Sequence, residues 1–326
     1  MEAELEFSAG DLARLRFAVS PLWEVGTSFR LLNSGRPHPV HRPWVEQVRP
    51  RVAAAGLDRL TELVPPDGYV PDFLNPAPTG PAPTLTEELT AVRSAPVERI
   101  RRDLSRLERE QGASLGPRLR ALYDEPHAQL PKFTEEIETY WQLALAPYWA
   151  RIRAVLDADV LYRARQLAEH GTAHLLNDLH TAASWEGDTL RLRERRRGLS
   201  RATAGAGLVL VPSAFTGPAL LPRVALPDPP QLAYPARGTG TLWQPRSTPA
   251  ADALAAVLGR SRTRLLTELD IPASTTDLAR RTGLSPAAVS QSLTALRDAG
   301  LVSAHRAGRW VLYARTATAD SLLATG

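Results

Sequence analysis

Between Ser285 and Arg309 the chain sets out side chains that could read the edges of nucleic-acid bases. Ala287, Ser290, Gln291, Thr294 and Arg297 recur at helical spacing opposite Val289, Leu293 and Leu296. A helix here would bury the three apolar residues and turn the small and hydrogen-bonding ones outward. Gln pairs well with adenine, Ser and Thr accept several partners, and Arg suits guanine or phosphate. Ser285, placed just before Pro286, would cap that helix and put a hydroxyl at its amino end. Arg306 and Arg309 flank Ala307-Gly308, and two guanidinium groups at a hairpin tip suit a phosphate or minor-groove contact.

Other constellations promise less. His170, His174 and Asp178 stand four residues apart with Glu169 adjacent, a spacing that could bring metal ligands to one helix face. Gly171 weakens such a helix, and no glutamate stands where a zinc hydrolase motif places its base. A hydrogen-bonded or exposed His pair is the expectation, and no metal residue is assigned. The run from Arg191 to Arg197 holds five Arg and one Glu; it reads equally as a nonspecific DNA contact or as the solvated face of a strand. Trp23, Trp44, Trp141, Trp149 and Trp185 could line an effector pocket, although core packing is the commoner use of such rings. Gly205, Gly207, Gly238 and Gly240 form neither GxGxxG nor a Walker pattern, and Ser213 and Ser261 lack the elbow that exposes a nucleophile. No catalytic or cofactor-binding residue is expected, and the chain is not read as an enzyme.

The elements that must position the base-reading face are legible on either side of it. Ser274 with Asp277 three residues on forms an acidic capping box, Leu278 and Ala279 supply the apolar face of a first helix, and Gly283 permits a sharp turn. Gly300 ends the second helix. Leu301 to His305 and Arg309 to Arg315 then read as two strands of a wing. Leu254, Leu265, Leu266, Leu278, Val289, Leu293, Leu296, Val302 and Tyr313 provide a core sufficient for a small domain. From Ala250 onward nine Arg face six acids, a modest positive balance.

These residues resemble the ArsR family of winged-helix transcriptional regulators. The resemblance is carried by Leu258-Gly-Arg-Ser-Arg-Thr-Arg-Leu-Leu266, Thr276-Asp-Leu-Ala-Arg-Arg-Thr-Gly-Leu-Ser-Pro-Ala-Ala-Val-Ser-Gln-Ser-Leu293, Leu296-Arg-Asp-Ala-Gly-Leu-Val302 and Gly308-Arg-Trp-Val-Leu-Tyr313, about the last quarter of the chain. It implies homodimers that bind double-stranded operator DNA, commonly as repressors released by a signal. Ser292 stands where many members have His, and the cysteine pair of the family's arsenic, cadmium and zinc sensors is absent. More weakly, Arg14-Leu-Arg-Phe-Ala-Val-Ser-Pro-Leu-Trp23 and Tyr234-Pro-Ala-Arg-Gly-Thr-Gly-Thr-Leu-Trp243 look like the amino-terminal region of long actinobacterial ArsR-like regulators.

The fold class expected is α+β, with a mainly helical module and a small β section over residues 1–245 and a winged helix-turn-helix over 250–326. Ser20-Pro21 opens a helix carrying Leu22, Val25, Phe29 and Leu32, and Pro43-Trp44 opens another with Val45, Val48 and Val52. Seven prolines from Pro65 to Pro83 forbid a continuing helix and predict either an extended connector docked by Tyr69, Phe73 and Leu74 or a solvated linker. Helices resume at Thr84, through Leu85 and Leu89 and then Val97, Ile100, Leu104 and Leu107. A single long helix is expected from about Thr134 to Val155, and two more from Asp157 to Leu179. The period then changes to two: Ala183 to Leu192 reads as a hairpin with Gly187-Asp188 at its tip, Gly207 to Val211 as a buried strand, and Ala225 to Trp243 as short β segments.

The 326 residues contain no Cys, which removes thiolate metal sensing and disulfide switching. Of 39 basic residues only Lys132 is lysine. No apolar run could span a bilayer and the first ten residues lack signal-peptide character, so a cytoplasmic protein with no membrane partner is expected. The whole reads as a DNA-binding regulator whose upstream module dimerises, answers a small-molecule effector, or both. Two other classes remain compatible, an enzyme in residues 1–245 with an appended winged helix, and a winged helix used for protein contacts.

Overall fold

The computed structural model describes residues 3–36, 38–193, 205–244, 251–307 and 310–324. In chain order the elements are β1 (Ala3–Glu6), α1 (Ala9–Leu12), β2 (Leu15–Phe17), α2 (Pro21–Asn33), α3 (Arg42–Ala55), α4 (Asp58–Leu63), α5 (Leu85–Arg93), α6 (Val97–Gln111), α7 (Pro117–Asp124), α8 (Pro126–Tyr140) and α9 (Trp149–Leu179). There follow β3 (Ala183–Glu186), β4 (Thr189–Leu192), β5 (Leu208–Ser213), β6 (Leu221–Arg223), β7 (Gln231–Pro235), α10 (Ala251–Leu258), α11 (Arg260–Glu268), α12 (Thr275–Thr282), α13 (Pro286–Asp298), β8 (Val302–Ala307), β9 (Trp310–Arg315) and α14 (Ala317–Ala324). The fold is mixed α+β, mainly helical with small sheets. It divides into two compact units, each assembled from three stretches of chain.

The first unit comprises Met1–His38, Leu57–Ile137 and Val155–Thr239. Its four-stranded sheet has the order β2-β5-β7-β6, with β2 and β7 parallel to the central β5 and β6 antiparallel to β7. All six residues of β5 are buried, as a strand covered on both faces requires. Val209 and Val211 pack with Ala18, Trp23 and Ala233. The alternate residues Leu208 and Leu210 join Leu175, Leu176, Leu232 and Tyr234. The expected hairpin forms from β3 and β4, with Gly187 at φ 64° in its turn, and β1 adds a third strand along β4. Within Ala225 to Trp243 one strand forms, β7, and its antiparallel neighbour β6 lies just before that stretch.

Helix α2 shows how capping and burial cooperate in this unit. The Ser20 hydroxyl accepts the Trp23 N–H at 3.2 Å, as the sequence predicts for an N-cap. The same hydroxyl donates to the Glu88 carboxylate at 2.5 Å, and the Leu22 N–H donates to it at 2.8 Å. One turn on, Glu24 has no exposure to solvent; it accepts the Ala214 N–H just beyond β5 at 3.1 Å. Burial pushes the Glu24 carboxyl up to about 8, against opposing hydrogen bonds from Ser213 and Ala214. Burial likewise pushes Glu88 up to about 7. The proline-rich connector is held where its aromatic residues dock. Phe73 and Leu74 are buried in a 3-10 turn, and the Arg106 guanidinium lies over the Tyr69 ring, 4.0 Å from its centre.

The continuous helix expected from Thr134 to Val155 does not exist. After α8 the backbone widens into a π turn at Trp141–Leu145, tightens into a 3-10 turn at Ala146–Tyr148 and restarts as α9. Pro147 is the cause: it has no N–H to donate and its ring collides with the carbonyl four residues back, so the α pattern cannot pass through it. Leucine and tryptophan periodicity on both sides conceals the break. Helix α9 runs through Asp157 to Leu179 with Gly171 non-helical at φ 80°, ψ 176°, so the expected pair of helices begins earlier, at Trp149.

The second unit comprises Pro39–Gly56, Glu138–Ala154 and Gly240–Gly326. Fully buried Trp44 on α3 donates its indole N–H to the Ala144 carbonyl at 2.8 Å. Trp243 stacks on Trp44 and meets the edge of Tyr148, and its own N–H donates to His41 Nδ1 at 3.0 Å. Strands β8 and β9 lie against the irregular turns of 141–148. Asp270, after α11, receives Arg315 of β9 at 2.8 Å and Arg151 of α9 at 3.2 Å. Among the described residues no helix is long and apolar enough to cross a membrane.

Candidate nucleic-acid interface

Two capped helices and a hairpin build the candidate surface. At α12 the Ser274 hydroxyl accepts the Asp277 N–H at 3.2 Å, and the Asp277 carboxylate accepts the Ser274 N–H at 3.4 Å, closing the capping box; the hydroxyl also donates to that carboxylate at 2.7 Å. The hydroxyl and Arg280 hold the Asp277 carboxyl below the usual carboxylate range, the hydroxyl contributing most. Gly283 takes the left-handed conformation at φ 69°, which lets its N–H return to the Ala279 carbonyl and turns the chain within two residues. Ser285 then caps α13, accepting the Ala288 N–H at 3.2 Å, with Pro286 at the first helical position.

Burial along α13 separates two faces. Val289, Leu293 and Leu296 are buried in a cluster with Leu265, Leu266, Leu278 and Val302. Ser285, Ala287, Ser290, Gln291, Thr294 and Arg297 are exposed. Ser285, Ala287, Ser290, Gln291, Thr294 and Arg297 therefore share the outer side of one helix. The Thr294 hydroxyl donates to the Ser290 carbonyl at 3.0 Å, and Arg297 stands 3.6 Å from Asp298. Leu301 donates its N–H to the Leu296 carbonyl at 2.9 Å and Gly300 adopts φ 71°, which stops the helix and starts β8.

The wing is an antiparallel pair of six-residue strands, Val302 opposite Arg315 through Ala307 opposite Trp310. Arg306 is exposed one pair below the tip; Arg309 lies outside the described residues. His305, on β8, bonds Ser303 at 2.8 Å, and burial pushes its imidazole down to about 4. It is therefore neutral at physiological pH and adds no charge to the wing. The module also exposes Arg264 of α11 and Arg280 and Arg281 at the last turn of α12. These three cations lie beside the helical apolar pattern and not on the second helix, and in the sequence only the adjacent pair Arg280-Arg281 before a capping Gly marks them.

Residues 264–304 match the family model described as bacterial regulatory protein, arsR family. The chain carries an ArsR-type helix-turn-helix. The match runs from the second half of α11 into the first strand of the wing. No curated protein and no solved structure matches the chain. An ArsR-type module is a DNA-binding, transcription-regulating unit, and its partner is DNA.

The remaining constellations are each accounted for by local partners. His170 and His174 meet edge to face with ring centres 4.7 Å apart, His174 bonds Gln166 at 3.0 Å, and Asp178 is held by Arg163 at 2.6 Å. No group of three or more His, Asp or Glu able to hold a metal occurs among the described residues. Arg191 pairs with Glu4 at 3.0 Å and with Glu186, while residues 194–197 of that run lie outside the described residues. The five tryptophans divide between the two units. Trp23 donates to Gln231 at 2.9 Å and Trp185 packs against Phe7 in the first unit. Trp141 and Trp149 meet edge to face in the second, where Trp44 is enclosed.

Proposed function

We propose that this protein is a homodimeric transcriptional repressor that binds a pseudopalindromic operator through α13 and the wing, and that a non-thiophilic signal acting outside the ArsR-type module releases it. The carrying observation is that one side of α13 is wholly committed to the core while the other, from Ser285 to Arg297, is exposed. Ser285 and Arg306 are assigned to phosphate or minor-groove contact together with Arg309, and Ala287, Ser290, Gln291, Thr294 and Arg297 to the major groove. Two copies presenting α13 about 34 Å apart would match successive major-groove faces of one DNA turn. A ligand that binds one conformation better than another would shift that spacing in proportion to its differential affinity. The protein is not proposed to be an enzyme.

The test is footprinting of the full-length protein on DNA upstream of its own gene. Protection of an inverted repeat, needing roughly tenfold more protein in Gln291→Ala and weakened at every sequence in Arg306→Ala, supports the reading. Arg306→Ala should also flatten the salt dependence by about one unit in the log–log slope. A full-length protein that protects no DNA at any salt concentration overturns it.

A further inference from the structure

The chemistry left over on α13, once its internal hydrogen bonds are counted, points to particular bases. Between Pro286 and Leu296 the helix carries no charged side chain. Guanine is read best by Arg or Lys reaching O6 and N7 together, and the middle of this helix lacks either group. Arg297 comes only in the last turn, beside Asp298.

Each remaining side chain has a restricted role. Ser285 uses its oxygen to accept the Ala288 N–H, which leaves the hydroxyl proton for an acceptor such as a phosphate oxygen. Thr294 uses its proton on the Ser290 carbonyl, which leaves an oxygen that can only accept and a methyl group. Ala287 offers a methyl alone. Gln291 is exposed, and its amide can donate and accept side by side, as adenine N7 and N6 demand. Residues 287, 291 and 294 follow one another at intervals of four and three, so they form one stripe along the helix. At 1.5 Å per residue that stripe is about 10 Å long, close to three base-pair steps of about 3.4 Å.

We propose that this stripe selects an adenine·thymine core of about three base pairs, with Gln291 on adenine and the methyl groups of Ala287 and Thr294 against thymine C5-methyls. The proposal rests on the reading of α13 as the helix that enters the major groove. It makes Thr294 and Ala287 determinants of specificity through shape and apolar contact, and Gln291 the one side chain of the stripe that reads by paired hydrogen bonds.

The experiment selects binding sites for the full-length protein from randomised duplex DNA, then measures affinity for the selected half-site with single atoms removed. Replacing a core thymine by uracil deletes only the C5-methyl and should weaken wild-type binding about fourfold per buried methyl. Thr294→Ser should bind the thymine and uracil forms alike at the position it contacts. Gln291→Ala should lose roughly tenfold on the selected site and become indifferent to 7-deazaadenine, which lacks N7. All three positions are exposed, so circular dichroism of the variants should match wild type. Selection of a guanine·cytosine core, or a selected site on which uracil binds as well as thymine at every position, overturns the inference and leaves DNA binding intact. Failure to enrich any sequence overturns the DNA-binding reading itself, and the inference with it.

Discussion

Replacing Glu24 by Gln should make the protein more stable at alkaline pH while changing little in mild acid. Glu24 is fully enclosed, and burial raises its carboxyl from an ordinary 4.5 to about 8. Below pH 4.5 both the folded and unfolded chains keep this proton, so the buried neutral acid contributes its full stability. Between 4.5 and about 8 the unfolded chain gives up the proton and the fold retains it, so stability falls as pH rises; above 8 both states are ionised and the loss is complete. At about 1.4 kcal/mol per pH unit across that gap, the full loss is about 5 kcal/mol. Glutamine keeps the shape and an acceptor oxygen for the Ala214 N–H but cannot ionise. Glu88 titrates in a similar range, yet it is common to both proteins and cancels in their difference. Urea unfolding followed by far-ultraviolet circular dichroism at pH 5, 6, 7 and 8.5 gives that difference directly. Near-equality at pH 5 opening to a gain of roughly 2 kcal/mol or more for the variant at pH 8.5 is expected. A difference that is constant across the series, or that favours wild type increasingly with pH, would refute the argument that burial dominates at this carboxyl.

Three further outcomes are expected. Leu293→Ala removes a side chain buried at the centre of the winged-helix core and should cost about 2–5 kcal/mol in chemical unfolding, with operator binding lost as the domain melts. Ser274→Ala removes the hydroxyl half of the α12 capping box and leaves the residue-274 N–H on the Asp277 carboxylate; it should cost about 1 kcal/mol, read by the same method. Arsenite, cadmium or zinc at modest excess should leave operator affinity unchanged, because the chain has no Cys to supply the thiolates that arsenite and cadmium need and no His, Asp and Glu group able to hold zinc occurs among the described residues; a tenfold fall in a fluorescence-anisotropy titration would contradict this.

Local chemistry made much of the fold readable from residues alone. Ser20, Thr84, Ser274 and Ser285 each cap a helix, and each is followed by a Pro or an acid at the right offset. The hairpin turn at Gly187-Asp188 and the stop at Gly300 likewise depend on a few neighbouring residues. What could not be read depends on partners far along the chain. The three-residue strand Leu15–Phe17 is stable only because it pairs with Leu208–Leu210, and nothing in its own sequence distinguishes it from a loop. The π turn before Pro147 sits inside a pattern that continues helically on both sides. Glu24 and Glu88 look like ordinary first-turn acids until distant amides and hydroxyls enclose them. At the candidate interface the side-chain types were legible, whereas the bonds that restrict Ser285 to donating and Thr294 to accepting required coordinates.

The interleaving of the second unit has a consequence for how the protein must be made. Trp44 and Tyr148 leave the ribosome long before Trp243, the ring that closes over them. Trp44 precedes Trp243 by about 200 residues, which at about 5–20 residues per second is roughly 10–40 s of translation. During that interval the aromatic faces of α3 and of the turns at 141–148 have no native cover. Ribosome stalling or a premature stop before Trp243 therefore yields a nascent chain with sticky aromatic surface, a substrate for chaperones and proteases. Strands β8 and β9 of the wing, made later than Trp243, lie against the turns at 141–148, so the ArsR-type module itself adds cover to residues made much earlier.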